Sequence, residues 1–355
     1  MPKTKLYYPL EVSAWVAQTL PKYGFSVADM ERLTENILSK EQKRDIVQMR
    51  RAMLLMSGKN LDIQSFDDLS EADIHKLDFM ATVDAWSENK QVFKIDADFA
   101  QTLLDTENLH ISKDMWKYLP CDAMYFDLAD VPFISTEIGV SGAFVKVVRD
   151  SHKDSWELHI FQMCGGVKFR ANPLFITNED QECDFGNSTE VLKLDVIKDM
   201  YGEEAAIKAK NNAKSVLLVI QLLCYLCSVE PDVKENELTK TTYRPRKAGQ
   251  PVKNKFSEIQ KHDVGVRFGT AFRKYKASQA SASSGTAHKT GHTKRPHFRK
   301  AHWSFYWYNV TDDNGETVYN VYGVPEKVKR PKWLSETFVN EKYGEKDVVI
   351  HKVSD

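Results

Sequence analysis

The sequence predicts an α+β protein: an N-terminal helical part, an antiparallel sheet packed on a long apolar helix, and a basic C-terminal limb ending in an aromatic β-hairpin. Three observations carry this reading. Apolar residues recur at spacings of three and four in the first 118 residues; short alternating runs broken by turn residues follow from Leu119; and Val216 to Val229 is apolar except for Gln221 and Ser228. At 355 residues and 42% hydrophobic, the chain is long enough for two or three units with a sizeable core. The expected division is a helical region at 1–118, a sheet with its central buried helix at 119–239, a basic limb at 240–293 with a flexible linker at 277–293, and an aromatic, basic region at 294–355.

In the helical region, Ser39 and Gln42 form a capping-box pattern ahead of Ile46, Met49, Met53 and Met56, and Gly58 offers a stop. A methionine stripe can form an adaptable binding surface, but core packing is the simpler reading. Ser70 and Asp73 repeat the entry signal before Leu77, Phe79, Met80 and Val83. Phe99, Leu103 and Leu104 suggest a further short helix.

From Pro120 the character changes. Met124–Leu128, Ala143–Arg149, Trp156–Met163 and Pro173–Thr177 have the pattern of an antiparallel meander, with Ala143, Val145 and Val147 on one face. His159 alternates with Glu157 and Phe161, as a hydrogen-bonded strand residue would. The Val216–Val229 stretch, apolar nearly all round, reads as a buried helix that Pro231 ends. Its Cys224 and Cys227 have a metal-binding spacing, but with only Leu, Tyr and Ile around them they read as buried thiols. Five cysteines scattered through a chain of this size are not a disulfide framework and suit a reducing compartment. With no long apolar run at the start or later, the expectation is a soluble, cytoplasmic protein.

Charge is unevenly placed. From Lys240 to Lys300 there are sixteen Lys/Arg against two acids (Glu258, Asp263), a local excess of +14, which leaves −15 on the rest of a chain whose net charge is −1. Such a limb suits a nucleic-acid partner, an acidic protein surface, or docking on its own acidic body. Within it, Val264–Gly269 alternates like a strand, and Ala277–Thr293 is small and polar like a flexible connection.

The densest chemistry runs from Lys294 to Tyr308, where fifteen positions hold four cations, two histidines and six aromatics. With strand period, His302, Ser304, Tyr306 and Tyr308 share one face, and Trp303, Phe305 and Trp307 the other, which is expected to be buried. Asp313-Asn314-Gly315 predicts a hairpin turn with a return strand around Val318–Tyr322. His288, His292, His297 and His302 invite a metal reading, but no cysteine or carboxylate lies among them, so neither metal nor cofactor is expected. A phosphate-cradling loop, a nucleophile elbow and a helical His-Glu-x-x-His are absent, so no enzymatic reaction can be named and no catalytic residue is expected.

Lys294-Arg-Pro-His-Phe-Arg-Lys-Ala-His-Trp303 with Tyr306-Trp307, followed by Trp333 and Phe338-Val-Asn340, resembles the C-terminal signature of the type V-A anti-CRISPR family whose members lower the messenger RNA of the CRISPR effector nuclease. Leu222-Leu-Cys-Tyr-Leu-Cys-Ser-Val-Glu-Pro-Asp232 resembles that family's apolar helix ending in Glu-Pro-Asp, and Leu119-Pro-Cys-Asp-Ala-Met-Tyr-Phe-Asp127 its Leu-Pro strand opening. The resemblance implies a protein that recognises the N-terminal peptide of the nascent effector as it leaves the ribosome, in the bacterial host cytoplasm, and directs degradation of the transcript. It makes Arg295, His297, Arg299, His302, Tyr306 and Asn340 candidates for peptide or RNA binding. Trp303, Phe305, Trp307, Trp333 and Phe338 become their aromatic support, and the basic limb a contact for ribosome or RNA. The alternative is a general RNA-binding regulator whose cations meet phosphate while its aromatic rings stack on bases.

Overall fold

The computed structural model describes residues 8–19, 71–106, 109–111, 115–150, 155–176, 181–183, 194–236, 259–282, 297–299, 301–312, 315–334 and 337–339. In chain order the elements are α1 (Tyr8–Thr19), α2 (Glu71–Asn89), β1 (Gln91–Ile95), α3 (Ala97–Leu104), β2 (Leu109–Ile111), β3 (Ala123–Asp127), β4 (Gly142–Asp150), β5 (Ser155–Met163), β6 (Phe169–Ile176) and β7 (Gln181–Cys183). There follow α4 (Leu194–Tyr201), α5 (Glu203–Leu226), β8 (Val233–Asn236), β9 (Gln260–Val264), α6 (Val266–Ala282), β10 (His297–Arg299), β11 (His302–Asn309), β12 (Lys327–Leu334) and β13 (Thr337–Val339). A 3-10 turn at Met115–Tyr118 and a π-helical turn at Phe133–Ile138 complete the set.

A seven-stranded sheet in the order β6-β5-β4-β3-β1-β9-β8 organises the molecule. Its β3-to-β6 half is the expected antiparallel meander. Alternation then sorts the side chains into two cores. Met124, Phe126, Val145 and Ile160 face α3 and α5 in one core; Tyr125, Phe144 and Phe161 face α1 and α2 in the other. Helix α2 commits Phe79, Met80, Val83 and Trp86 to the second core, all fully buried. Each such side chain contributes about 1.5–3 kcal/mol by leaving water. The last three turns of α5 are closed in by the sheet and its neighbours, with Leu217 through Leu226 all buried.

The structure differs from the sequence reading at several points. Gln91–Ile95, assigned to the helical region, is a central strand parallel to both β3 and β9. Five residues carry too little periodicity to reveal this. The sheet therefore takes β1 and β9 from either side of 119–239, and the divisions at 118/119 and 239/240 run through it. Strand alternation at Val264–Gly269 gives way to helix: β9 ends at Val264, Gly265 turns with φ of 75°, and α6 runs on through Ala277–Ala282, part of the expected flexible link. Alanine is the strongest helix former, which accounts for that extension. The helix expected after Ser39 and most of the basic limb lie outside the described residues. No helix among the described residues is long and apolar enough to cross a membrane.

Candidate functional site

The Lys294–Tyr308 stretch enters an antiparallel ribbon. β11 pairs with β12 from His302 opposite Leu334 to Asn309 opposite Lys327, and β10 pairs with β13 from His297 opposite Val339 to Arg299 opposite Thr337. Five residues forward on one side match five back on the other, so the two pairings share one register. The two separated parts of the signature, around His297 and around Phe338, thus face each other across a ribbon base. The return strand is β12, not Val318–Tyr322. A turn at Asp312–Gly315 leads only to a bridge between Thr311 and Thr317, and a second turn at Asn320–Gly323 precedes a bridge between Tyr319 and Pro325.

The ribbon is fixed at its root. Trp333 stands edge-on to Phe99, Tyr225 and Phe268, with ring centroids 5.2, 5.9 and 5.1 Å away, and its cross-strand partner Trp303 is equally enclosed at 8% exposure. Edge-to-face pairs of this kind add roughly 0.5–1.5 kcal/mol beyond burial. The Val229 amide donates to the Pro331 carbonyl at 3.1 Å, tying the end of the apolar helix to β12.

The Glu-Pro-Asp segment now has a physical role. The Asp232 amide donates to the Tyr225 hydroxyl at 2.8 Å, and its carboxylate accepts from the Arg267 amide at 2.8 Å at the start of α6. Burial pushes the Tyr225 phenol up to about 12. Close approach of α6 to α3 needs glycine: a Cβ at Gly265 would lie 2.2 Å from the Phe99 ring, and one at Gly269 would lie 2.0 Å from the Asp96 carboxylate. Asp96 caps α3 through the Asp98 and Phe99 amides and accepts from Arg273 of α6 at 3.1 Å. These contacts align three helices around the ring cluster that holds Trp333.

On the outer face His302 and Tyr306 are exposed, Ser304 and Tyr308 half-buried, opposite Leu334, Arg330, Lys332 and Val328 respectively.

 Arg330 lies 3.8 Å over the Tyr118 ring and donates from Nη2 to the Cys227 carbonyl at 3.3 Å, while its buried Nε has no acceptor. Burial raises the Tyr308 phenol above its usual range; Arg330 pulls the other way, and Tyr306 and Glu230 add to the rise. An imidazole, two phenols and a stacked guanidinium make a donor-rich strip on a rigid base, suited to peptide carbonyls, a carboxylate or a phosphate. Sequence spacing alone does not single out Arg330, Lys332 or Tyr118. The available signal is the cation-rich run Lys327-Val-Lys-Arg-Pro-Lys-Trp333 ending at a Trp, which the expected return strand at Val318 obscures.

The inner face departs from expectation. Trp303 and Trp333 are buried, Phe305 is half-buried with the Lys329 ammonium 5.6 Å from its ring, and Trp307 is 66% exposed. The ribbon outruns the core beneath it, so the same strand face is dry at the root and wet four residues further on. Arg295 and Asn340 lie outside the described residues; His297, Arg299 and Phe338 are placed by their strand pairing. No group of three or more His, Cys, Asp or Glu that could hold a metal occurs among the described residues, and His288 and His292 lie outside them. Away from the ribbon, His159 meets Glu157 at 3.3 Å.

The comparisons with known proteins bear on this region and on the sheet together. A family model described as AcrVA2-like, the anti-CRISPR type V subtype A2 family, matches residues 93–341, from β1 through the end of the ribbon base. A search of curated proteins returns no match. A solved structure titled "Crystal structure of AcrVA2" is similar with a TM-score of 0.52 at 14% identity, covering 95% of this chain and 100% of that chain, which is a likeness of fold. With the family model spanning the sheet, the apolar helix, the Glu-Pro-Asp knot and the ribbon, the chain belongs to the anti-CRISPR type V subtype A2 family.

Proposed function

We propose that this anti-CRISPR protein acts in the bacterial host cytoplasm by recognising the N-terminal peptide of the type V-A CRISPR effector nuclease as a nascent chain, and that recognition leads to translation-dependent degradation of the effector's messenger RNA. The observation that carries the reading is the outer strip of the ribbon. His302, Tyr306 and Arg330 offer directed donors on a two-stranded support whose root is locked by Trp303 and Trp333. Rigid support of polar contacts reduces the ordering cost when a flexible peptide docks. In this reading Arg295, His297, Arg299 and Asn340 also contact the peptide, and the basic limb contacts the ribosome or RNA. The role is binding.

A reporter experiment tests it. Two messages are compared, one beginning with the effector's first codons and one frameshifted over the same codons with the frame restored downstream, so that the nucleotides barely change. Transcript loss confined to the in-frame message supports peptide recognition. Equal loss of both messages refutes it in favour of direct RNA recognition.

A further inference from the structure

We infer that the inner face of the ribbon stem, beyond its buried root, is a docking site for unpaired RNA centred on Trp307. Among the described residues five aromatic side chains are exposed, and four of them, Tyr306, Trp307, Tyr319 and Tyr322, belong to the ribbon and its tip. An exposed indole at 66% on a strand gives no packing benefit to the chain itself. What surrounds it indicates the occupant. Lys329 is directly opposite Trp307, Lys327 is opposite Asn309 on the same face, and Phe305 precedes Trp307 by one strand period with the Lys329 ammonium beside its ring. On this face strand β12 presents Lys327 and Lys329 and no acid, whereas Asp312, Glu316 and Glu326 lie beyond the stem towards the tip.

Alternate aromatic residues on one sheet face with flanking cations form the layout in which bases stack on rings while phosphates meet ammonium groups. Duplex RNA keeps its bases stacked on each other and would use the lysines but not the indole. An acidic peptide would likewise use the charges and leave the flat ring without a role. The inference is independent of the peptide reading: it uses the opposite face of the ribbon and different residues.

The test uses the full chain and a fluorescein-labelled, unstructured single-stranded RNA of roughly 12 nucleotides, followed by anisotropy. Wild-type protein is expected to bind this probe better than a duplex of equal length, with affinity falling as salt rises from about 50 to 200 mM. Trp307→Ala should weaken binding by about tenfold or more, Trp307→Phe should retain most of it, and Lys327→Glu with Lys329→Glu should weaken it and flatten the salt dependence. Thermal melts of these surface variants should match wild type. The inference is overturned if Trp307→Ala binds as wild type does, or if the duplex binds equally well. It is also overturned if affinity is lost only on charge reversal at Arg244, Arg246 and Lys247, which would place RNA on the limb, or if Trp307→Ala changes the sedimentation state while RNA affinity holds. The in-frame and frameshifted messages, run with wild-type protein, report on the peptide reading separately.

Discussion

Two tryptophans four rungs apart in the same pairing should respond oppositely to truncation.

 Trp333 sits at the ribbon root, and Trp307 lies opposite Lys329, four residues along β12 towards the tip. The Trp333 ring is 8% exposed and makes three edge-to-face contacts with Phe99, Tyr225 and Phe268, so Trp333→Ala removes a large buried ring and leaves a cavity among three others. Truncations of this kind cost about 3–5 kcal/mol. At roughly 2–4 °C per kcal/mol for a large domain, Tm should fall by on the order of ten degrees. Trp307 is 66% exposed, and Trp307→Ala should stay within about 0.5 kcal/mol of wild type. Thermal denaturation followed by circular dichroism, with both variants run beside wild type, decides the matter. If Trp333→Ala melts with wild type, or Trp307→Ala melts as early as Trp333→Ala, the division of the ribbon into a load-carrying root and an open stem is wrong.

Other expectations follow from the same geometry. Gly269→Ala drives a methyl group into the Asp96 carboxylate and should cost about 1–3 kcal/mol, read as a lowered melting temperature; an unchanged melt would mean that α6 can slide away from α3 at no cost. Arg299→Lys and His302→Ala should leave the melt within a few degrees while abolishing effector silencing, since a Lys cannot copy the planar fork of Arg; early melting by either would make the signature structural. Because burial holds the Tyr225 phenol near 12, against an unfolded value near 10, the unfolded chain loses this proton first as pH rises. The stability that Tyr225 contributes is therefore present in full below pH 10 and is lost between about pH 10 and 12, by up to roughly 2–3 kcal/mol. Denaturant melts at the two pH limits on wild type and Tyr225→Phe would show it, and equal slopes in both proteins would refute it.

How much was legible in the sequence depended on how far each residue's partner lies along the chain. Phe79, Met80 and Val83 of α2, Phe99 and Leu103 of α3, and the apolar half of α5 carry their burial in local spacing, and the helices appear where that spacing places them. Strands β3 to β6 are joined in sequence order, so alternation and turns were enough to find them. Strand β1 was lost because its neighbours, β3 and β9, are parallel to it and reached through long connections. In the ribbon, alternation correctly separated the Trp303 face from the His302 face, but period two says which residues share a face and not how far the core extends beneath it. That is why the spacing places Trp303 correctly and Trp307 wrongly. Pairing β11 with the nearer segment at Val318 also hid Arg330, whose stack on Tyr118 joins residues far apart in sequence.

The shared register of β10–β13 and β11–β12 has a consequence for how this protein tolerates change. Everything between Asn309 and Lys327 is an excursion that leaves and re-enters at one closed gate, with Trp303 and Trp333 packed behind it. Lengthening such an excursion adds only about 0.6 kcal/mol of closure entropy per doubling, and none of it is transmitted to the sheet. The tip is therefore the place where a tag, a fluorophore or a foreign loop can be spliced at Gly315 or Gly323 without touching the fold.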